Sequence, residues 1–188
     1  MRIIAGSKKG STIAAPRGRQ TRPTADKVRG AVFSMLGDVS GARVLDMFAG
    51  SGALALEAMS RGASEATMID NRREALAVIN RNITKLKLEQ VSARRRDYLT
   101  YLKDAAKKHL QFDLIFVDPP YRMHGVIEPI LVRWLPRLAA PGARIVVESG
   151  SAQDISLPLE LVTEKVYGDT MIRIYRAGDS SDDSPKPE

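Results

Sequence analysis

Four aspartates punctuate this chain of 188 residues, each closing a short run: Asp46 after "RVL", Asp70 after "ATMI", Asp97 after "SARRR" and Asp118 after "LIFV". A carboxylate that ends a buried run is seldom idle, because an unpaired charge inside the protein costs several kcal/mol. Behind Asp46 comes "MFAGSGALA", in which Gly50, Gly52 and Ala55 spell G-x-G-x-x-A. Glycines at that spacing allow a tight turn and a close backbone approach. The spacing alone fits a nicotinamide dinucleotide site or a purely structural turn. Asp46, four residues before Gly50, favours neither, since a carboxylate there repels a pyrophosphate and attracts a cation. Asp70 stands where both ribose hydroxyls of a nucleoside could donate to it, or where it could cap the next helix. Asp97 could accept from an adenine amino group, or only pair with the arginines before it. A nucleoside carrying positive charge and no phosphate satisfies all three, and S-adenosylmethionine is such a molecule.

The fourth aspartate opens "DPPY". A ring amine such as the 2-amino group of guanine is a poor nucleophile, because its lone pair is delocalised into the ring. Two acceptors aimed at its two hydrogens favour the tetrahedral geometry that attack on a methyl group needs. The Asp118 side chain and the Pro119 carbonyl can supply them. Pro119 and Pro120 fix φ and add no N–H donor, and Tyr121 can stack on a flat base. Alignment then does much of the work. Read structurally, the same residues make a strand ending in a proline-stiffened turn with a surface tyrosine.

These residues must be held by something, and the chain's rhythm says what. "RVLDMF", "EATMID", "QVSARRRD", "DLIFVD" and "ARIVVES" read as strands. Between them, "GALALEAMSRG", "REALAVINRNITKL", "YLTYLKDAAKKH" and "VIEPILVRWLPRLA" read as helices, the last broken near Pro136. Such alternation means an α/β fold, a parallel sheet with helices on both faces. "LELVTEKVYG" and "TMIRIYRA" then predict an antiparallel hairpin turning at Gly168-Asp169. At the other end, "RIIAG" and "STIAA" predict a basic β-hairpin around "SKKG", followed by a helix capped by Thr24. The expected division is a hairpin and arm over 1–23, a main domain over 24–178 and an unfolded acidic tail over 179–188.

Composition narrows the function. The absence of cysteine excludes disulfides, thiolate metal sites and cysteine nucleophiles. With two histidines, no metal site is expected. No run is apolar enough for a bilayer and no signal peptide opens the chain, as in a cytoplasmic protein. Net charge is +7; the tail holds −3 of it, so residues 1–178 carry +10. Residues 1–25 contain six bases and no acid. A polyanion is therefore a plausible partner, with Arg2, Lys8, Lys9, Arg17 and Arg19 holding its phosphates. A merely solvated basic face is the alternative. His109 reads as a helix-end residue, His124 as a possible pocket residue and Trp134 as core.

"LDMFAGSGALALEA", "MIDN" and "FVDPPY" resemble the motifs of class I S-adenosylmethionine-dependent amino-methyltransferases. Together with "RIIAGSKKG" and "RPTADKVRGAVFSML" they resemble the bacterial RsmD-type 16S ribosomal RNA guanine-N2 methyltransferases, over about residues 1–176. The resemblance implies a Rossmann-like fold with a seven-stranded, mostly parallel sheet. It implies methylation of a loop guanine in small-subunit RNA, on an assembly intermediate, by a monomer. Carried over by motif, Asp46, Phe48, Gly50 and Gly52 hold the methionine end, Asp70 the ribose and Asp97 the adenine. Arg22 and Thr24 cover the cofactor or a substrate phosphate, and Asp118, Pro119, Pro120 and Tyr121 face the base. The rivals are adenine-N6 or protein glutamine methylation, a nicotinamide oxidoreductase, and an RNA-binding domain without catalysis.

Overall fold

The computed structural model describes residues 1–16, 23–120, 123–151 and 155–179, without the side chains at 23–25, 124 and 125. Its elements are α1 (Pro23–Leu36), β1 (Arg43–Asp46), α2 (Ala53–Ser60), β2 (Glu65–Asp70), α3 (Arg73–Leu86) and β3 (Val91–Arg95). They continue as α4 (Tyr98–Lys107), β4 (Phe112–Val117), α5 (His124–Leu138), β5 (Ala139–Gly150), β6 (Glu160–Tyr167) and β7 (Thr170–Arg176). The seven strands form one sheet in the order β3-β2-β1-β4-β5-β7-β6. β1 to β5 pair in parallel, and β7 runs antiparallel to both β5 and β6. Strand order reverses between β1 and β4, which opens a crevice at their carboxyl ends. Among the described residues no helix is long and apolar enough to cross a membrane.

Alternation along the central strands explains the layers. Val44, Leu114 and Phe116 belong to one apolar core, with Phe33, Leu56 and Ile79 from α1, α2 and α3. Their neighbours Leu45, Ile115 and Val117 belong to the other, with Leu102 from α4 and Ile127, Leu131 and Leu135 from α5. Side chains that point to opposite faces at successive positions require this when both faces are covered.

The N-terminal hairpin pairs Arg2 with Thr12, and the N–H groups of Ile3, Gly10 and Ile13 donate across it to the carbonyls of Ser11, Ile3 and Met1 at 2.9, 2.9 and 3.0 Å. Helix α2 anchors it further. The Glu57 carboxylate, fully buried, accepts the backbone N–H groups of Ile4 at 2.7 Å and Ala5 at 3.0 Å. Ser60 takes the Ser7 N–H on its carbonyl at 2.7 Å and the Lys8 N–H on its hydroxyl at 2.9 Å. Gly6, at φ +81°, passes so close that a Cβ would lie 1.8 Å from the Ser60 carbonyl oxygen. Asn82 of α3, also buried, accepts the Ala14 N–H at 2.8 Å and donates to the carbonyls of Ala14 and Ser51 at 3.1 and 3.0 Å. Ile3 and Ile13 join the first core.

Four expectations need correcting. Helix α1 begins at Pro23, so Thr24 lies inside its first turn instead of capping it; proline is pre-organised for the first helical position. Helix α5 is not broken near Pro136 but runs through Pro129 and Pro136 to Leu138. The complete burial of Ile127, Leu131, Leu135 and Leu138 outweighs the two missing donors. Strand β5 starts at Ala139, not Ala143, with an irregularity in its pairing with β4 between Phe112 and Leu114. Trp134 sits at the edge of the second core, partly buried, with the guanidinium groups of Arg133 and Arg137 at 5.7 and 5.3 Å from its ring. Helix α4 ends at Lys107, and His109 follows its C-cap Lys108 in the left-handed region at φ 53°. The acidic tail beyond residue 179 lies outside the described residues.

Candidate active site

The crevice where strand order reverses is a pocket lined by Met47, Phe48, Asp70, Asn71, Arg72, Arg96, Asp97, Tyr98, Asp118, Pro120 and Met123. The ends of β1, β2, β3 and β4 each contribute, so three of the four aspartates converge on one cavity. The fourth, Asp46, does not line it. It lies buried behind Met47 and Phe48, only 1 % exposed. The backbone N–H groups of Phe48 and Ala55 donate to it, yet its Oδ1 has no partner among the described residues. Burial, and then the charge of Asp118, push its carboxyl up to about 7; Asp70 adds to the same effect.

The glycine turn is built for packing as much as for a ligand. Gly50, at φ 60°, directs its N–H to Asp70 Oδ2 at 3.0 Å, tying the turn after β1 to the end of β2. Gly52, at φ 80°, caps α2. A Cβ on Gly52 would stand 2.8 Å from Met68 Sδ and 3.3 Å from Leu56 Cδ1, so the missing side chain lets helix and sheet close together.

Asp70 is nearly buried and strongly engaged. Besides Gly50 it accepts the Arg72 backbone N–H at 2.9 Å and the Arg72 guanidinium through Nε at 3.1 Å and Nη2 at 3.0 Å. Asp97 caps α4, accepting the Thr100 N–H at 3.0 Å and its hydroxyl at 3.2 Å. It does not pair with the preceding arginines, and Arg96 reaches Asp104 instead. Both bonds fall on one oxygen of Asp97. Phe48 packs on Tyr98 with ring centroids 5.2 Å apart, tilted by 43°. Burial pushes the Tyr98 hydroxyl's pKa up.

Sequence reasoning passed over Arg72, Tyr98 and Met123. Each is close in sequence to a residue that was singled out: Arg72 two after Asp70, Tyr98 one after Asp97, Met123 two after Tyr121. Tyr121 itself, Arg17, Arg19 and Arg22 lie outside the described residues, as do the side chains of Thr24 and His124. Lys8 and Lys9 fall at the hairpin turn, beside Ser60. Ser60 is the last residue of α2, so that turn is about 12 Å, one eight-residue helix, from the glycine loop. The two lysines are thus not gathered with Asp118 but lie toward the other end of the sheet.

A family model described as conserved hypothetical protein 95 matches residues 1–176. Ribosomal RNA small subunit methyltransferase D of Escherichia coli is 34% identical over 182 residues, covering 94% of this chain and 89% of that protein. The solved structure of yhhF from Escherichia coli, described as a methyltransferase candidate, matches with a TM-score of 0.81 and 33% identity, covering 96% of this chain and 99% of that one. SMU.776, solved in complex with SAH, shares the fold at a TM-score of 0.67 and 16% identity, covering 80% of this chain and 48% of that chain.

Proposed function

Because the chain belongs to the conserved hypothetical protein 95 family, the RsmD-type methyltransferases, we propose that it methylates the exocyclic 2-amino group of a guanine in small-subunit ribosomal RNA, using S-adenosylmethionine. The observation that carries this reading is the buried Oδ1 of Asp46, which has no hydrogen-bond partner among the described residues and feels the charges of Asp118 and Asp70 at the pocket wall. Three carboxylates in one place repel the pyrophosphate of a nicotinamide dinucleotide and suit a cation. When bound, the cofactor supplies an electrophilic methyl group on a sulfonium.

The chain's own residues do the rest. Asp46 holds the ammonium of the methionine end, beside Phe48 and the Gly50–Gly52 turn. Asp70 takes the ribose, and the uncommitted oxygen of Asp97 takes the adenine amino group. Asp118 and the Pro119 carbonyl accept the two hydrogens of the target amine and turn its lone pair toward the methyl group. Pro119 and Pro120 bring no N–H that would compete for those acceptors. Tyr121 stacks on the base, and Arg22 and Thr24 close over the cofactor or a phosphate. A loop guanine is already partly unstacked, so turning it into the pocket costs less than extracting it from a duplex.

The substrate is a ribosomal RNA or a small-subunit assembly intermediate, met in the cytoplasm by a monomer. The basic N-terminal segment, residues 1–23, carries the sequence-independent phosphate contacts; the catalytic domain spans 24–178. Lys8 and Lys9 then hold RNA away from the target base, and Arg2, Arg17 and Arg19 add further phosphate contacts from the same basic segment. The test is methyl transfer from isotopically labelled S-adenosylmethionine to small-subunit RNA and particles, followed by mass mapping of the product nucleosides. Label in N2-methylguanine at one position is expected. Label in adenine or in a protein glutamine would replace this reading with a sister activity of the same D-P-P-Y chemistry.

A further inference from the structure

All acceptor positions of the Asp70 carboxylate are taken within the chain. Oδ1 receives the backbone N–H and Nε of Arg72; Oδ2 receives the Gly50 N–H and Nη2 of Arg72. An ionised carboxylate offers about four lone-pair sites, so a ribose cannot add to this set and must replace part of it. The two backbone donors are fixed by the turns that carry them. The guanidinium is not: the Arg72 side chain is 45% exposed and lines the pocket. It also presents what a ribose presents, two parallel donors that meet the two carboxylate oxygens as a pair.

Arg72 has little other reason to be there. It occupies the N-cap of α3 and makes no side-chain cap bond. A cation at a helix N-terminus faces the positive end of the dipole. Among the described residues the other cation lining the pocket, Arg96, is held by Asp104 at 3.3 Å. Arg72 thus brings a balancing charge to a pocket lined by Asp70, Asp97 and Asp118.

We propose that Arg72 is a tethered stand-in for the ribose diol: its guanidinium closes on Asp70, and the nucleoside binds by exchanging two hydroxyl donors for the two guanidinium donors. The inference rests on the reading of Asp70 as the ribose carboxylate. Arg72 then weakens cofactor and product alike, and it protects Asp70 from standing unpaired between turnovers.

Titration calorimetry with S-adenosylhomocysteine on the wild type, R72A and R72Q tests this, with the 2′,3′-dideoxy analogue as the second probe. With the competing charge-assisted fork removed, S-adenosylhomocysteine should bind about 3- to 10-fold tighter to both variants. The dideoxy analogue, which has no diol to exchange, should gain no affinity. Without ligand, the variants should melt about 2–4 °C lower. Unchanged or weaker S-adenosylhomocysteine binding in both variants, beside a binding wild type, overturns the stand-in role. Equal tightening of both probes also overturns it, since that marks a general change of potential. A wild type that binds neither probe overturns the cofactor reading, and this inference with it.

Discussion

Replacing Asp46 by asparagine should make the protein more stable and weaken its binding of S-adenosylmethionine, with the gain in stability opening as pH rises above about 4 and complete once pH passes about 7. Burial and the charge of Asp118 raise the Asp46 carboxyl from its ordinary 3.8 to about 7, against the opposing pull of the Phe48 and Ala55 N–H groups. Below pH 3.8 the side chain is neutral in the folded and the unfolded chain, and its contribution to stability is complete. As pH climbs, the unfolded chain releases the proton first, so that contribution is lost until pH passes about 7. Roughly three decades of proton affinity, at about 1.4 kcal/mol each, set an upper bound of about 4 kcal/mol on the loss. The amide of the variant never ionises. Denaturant unfolding at about pH 8 should therefore favour D46N by about 1–4 kcal/mol, and at about pH 3.5 the gap should nearly close. Calorimetry at about pH 8 should show S-adenosylmethionine binding weakened by at least about tenfold, the loss of one charge-assisted contact. Wild-type affinity should itself fall as pH drops below about 7. A D46N protein less stable than wild type under alkaline conditions, or a stability difference that ignores pH, would refute the reasoning.

Asp118→Ala should lower kcat by about 10²-fold or more while the Kd for S-adenosylhomocysteine stays within about threefold, because the lost acceptor serves the target amine; equal loss in both would make Asp118 a cofactor residue. Glu57→Ala strips the Ile4 and Ala5 N–H groups of their acceptor and Arg61 of its partner at 2.8 Å. It should cost about 3–5 kcal/mol in denaturant unfolding and open residues 1–16 to limited proteolysis, whereas a cost below about 1 kcal/mol would mean the hairpin is held by its apolar contacts. Lys8→Ala together with Lys9→Ala should reduce the salt slope of binding to small-subunit RNA by about 1.5, since each released phosphate contact contributes about 0.7–0.9; an unchanged slope would remove the hairpin turn from the RNA surface.

What the sequence made legible was whatever its local periodicity encodes. The bounds of β2 and α3 are those read from "EATMID" and "REALAVINRNITKL". Both stretches combine a regular apolar repeat with flanking turn residues, and both are covered in the way that repeat demands. The parallel course of the first five strands followed from the strand–helix alternation. Helix α5 was harder, because two prolines speak against a helix locally and four fully buried apolar residues settle the matter from a distance. Long-range partners were beyond reach. Nothing around Glu57 announces that it will accept from Ile4, 53 residues away. The count of bases near the N-terminus was plain, but which end of the sheet Lys8 and Lys9 occupy depends on Ser60. The aspartates stood out by position, while the donors that surround them, such as Arg72 for Asp70 and Thr100 for Asp97, depended on the turns each one begins.

Asn82 joins the N-terminal hairpin to the glycine turn beside the crevice: its amide grips Ala14 on one side and Ser51 on the other. Shortening the protein from its amino end is consequently not a trim of a loose appendage. A chain that began after Pro16 would leave a buried amide short of two of its three bonds, directly behind the residue that separates Gly50 from Gly52. Damage to the hairpin would be felt first as slack in the Gly50–Gly52 turn.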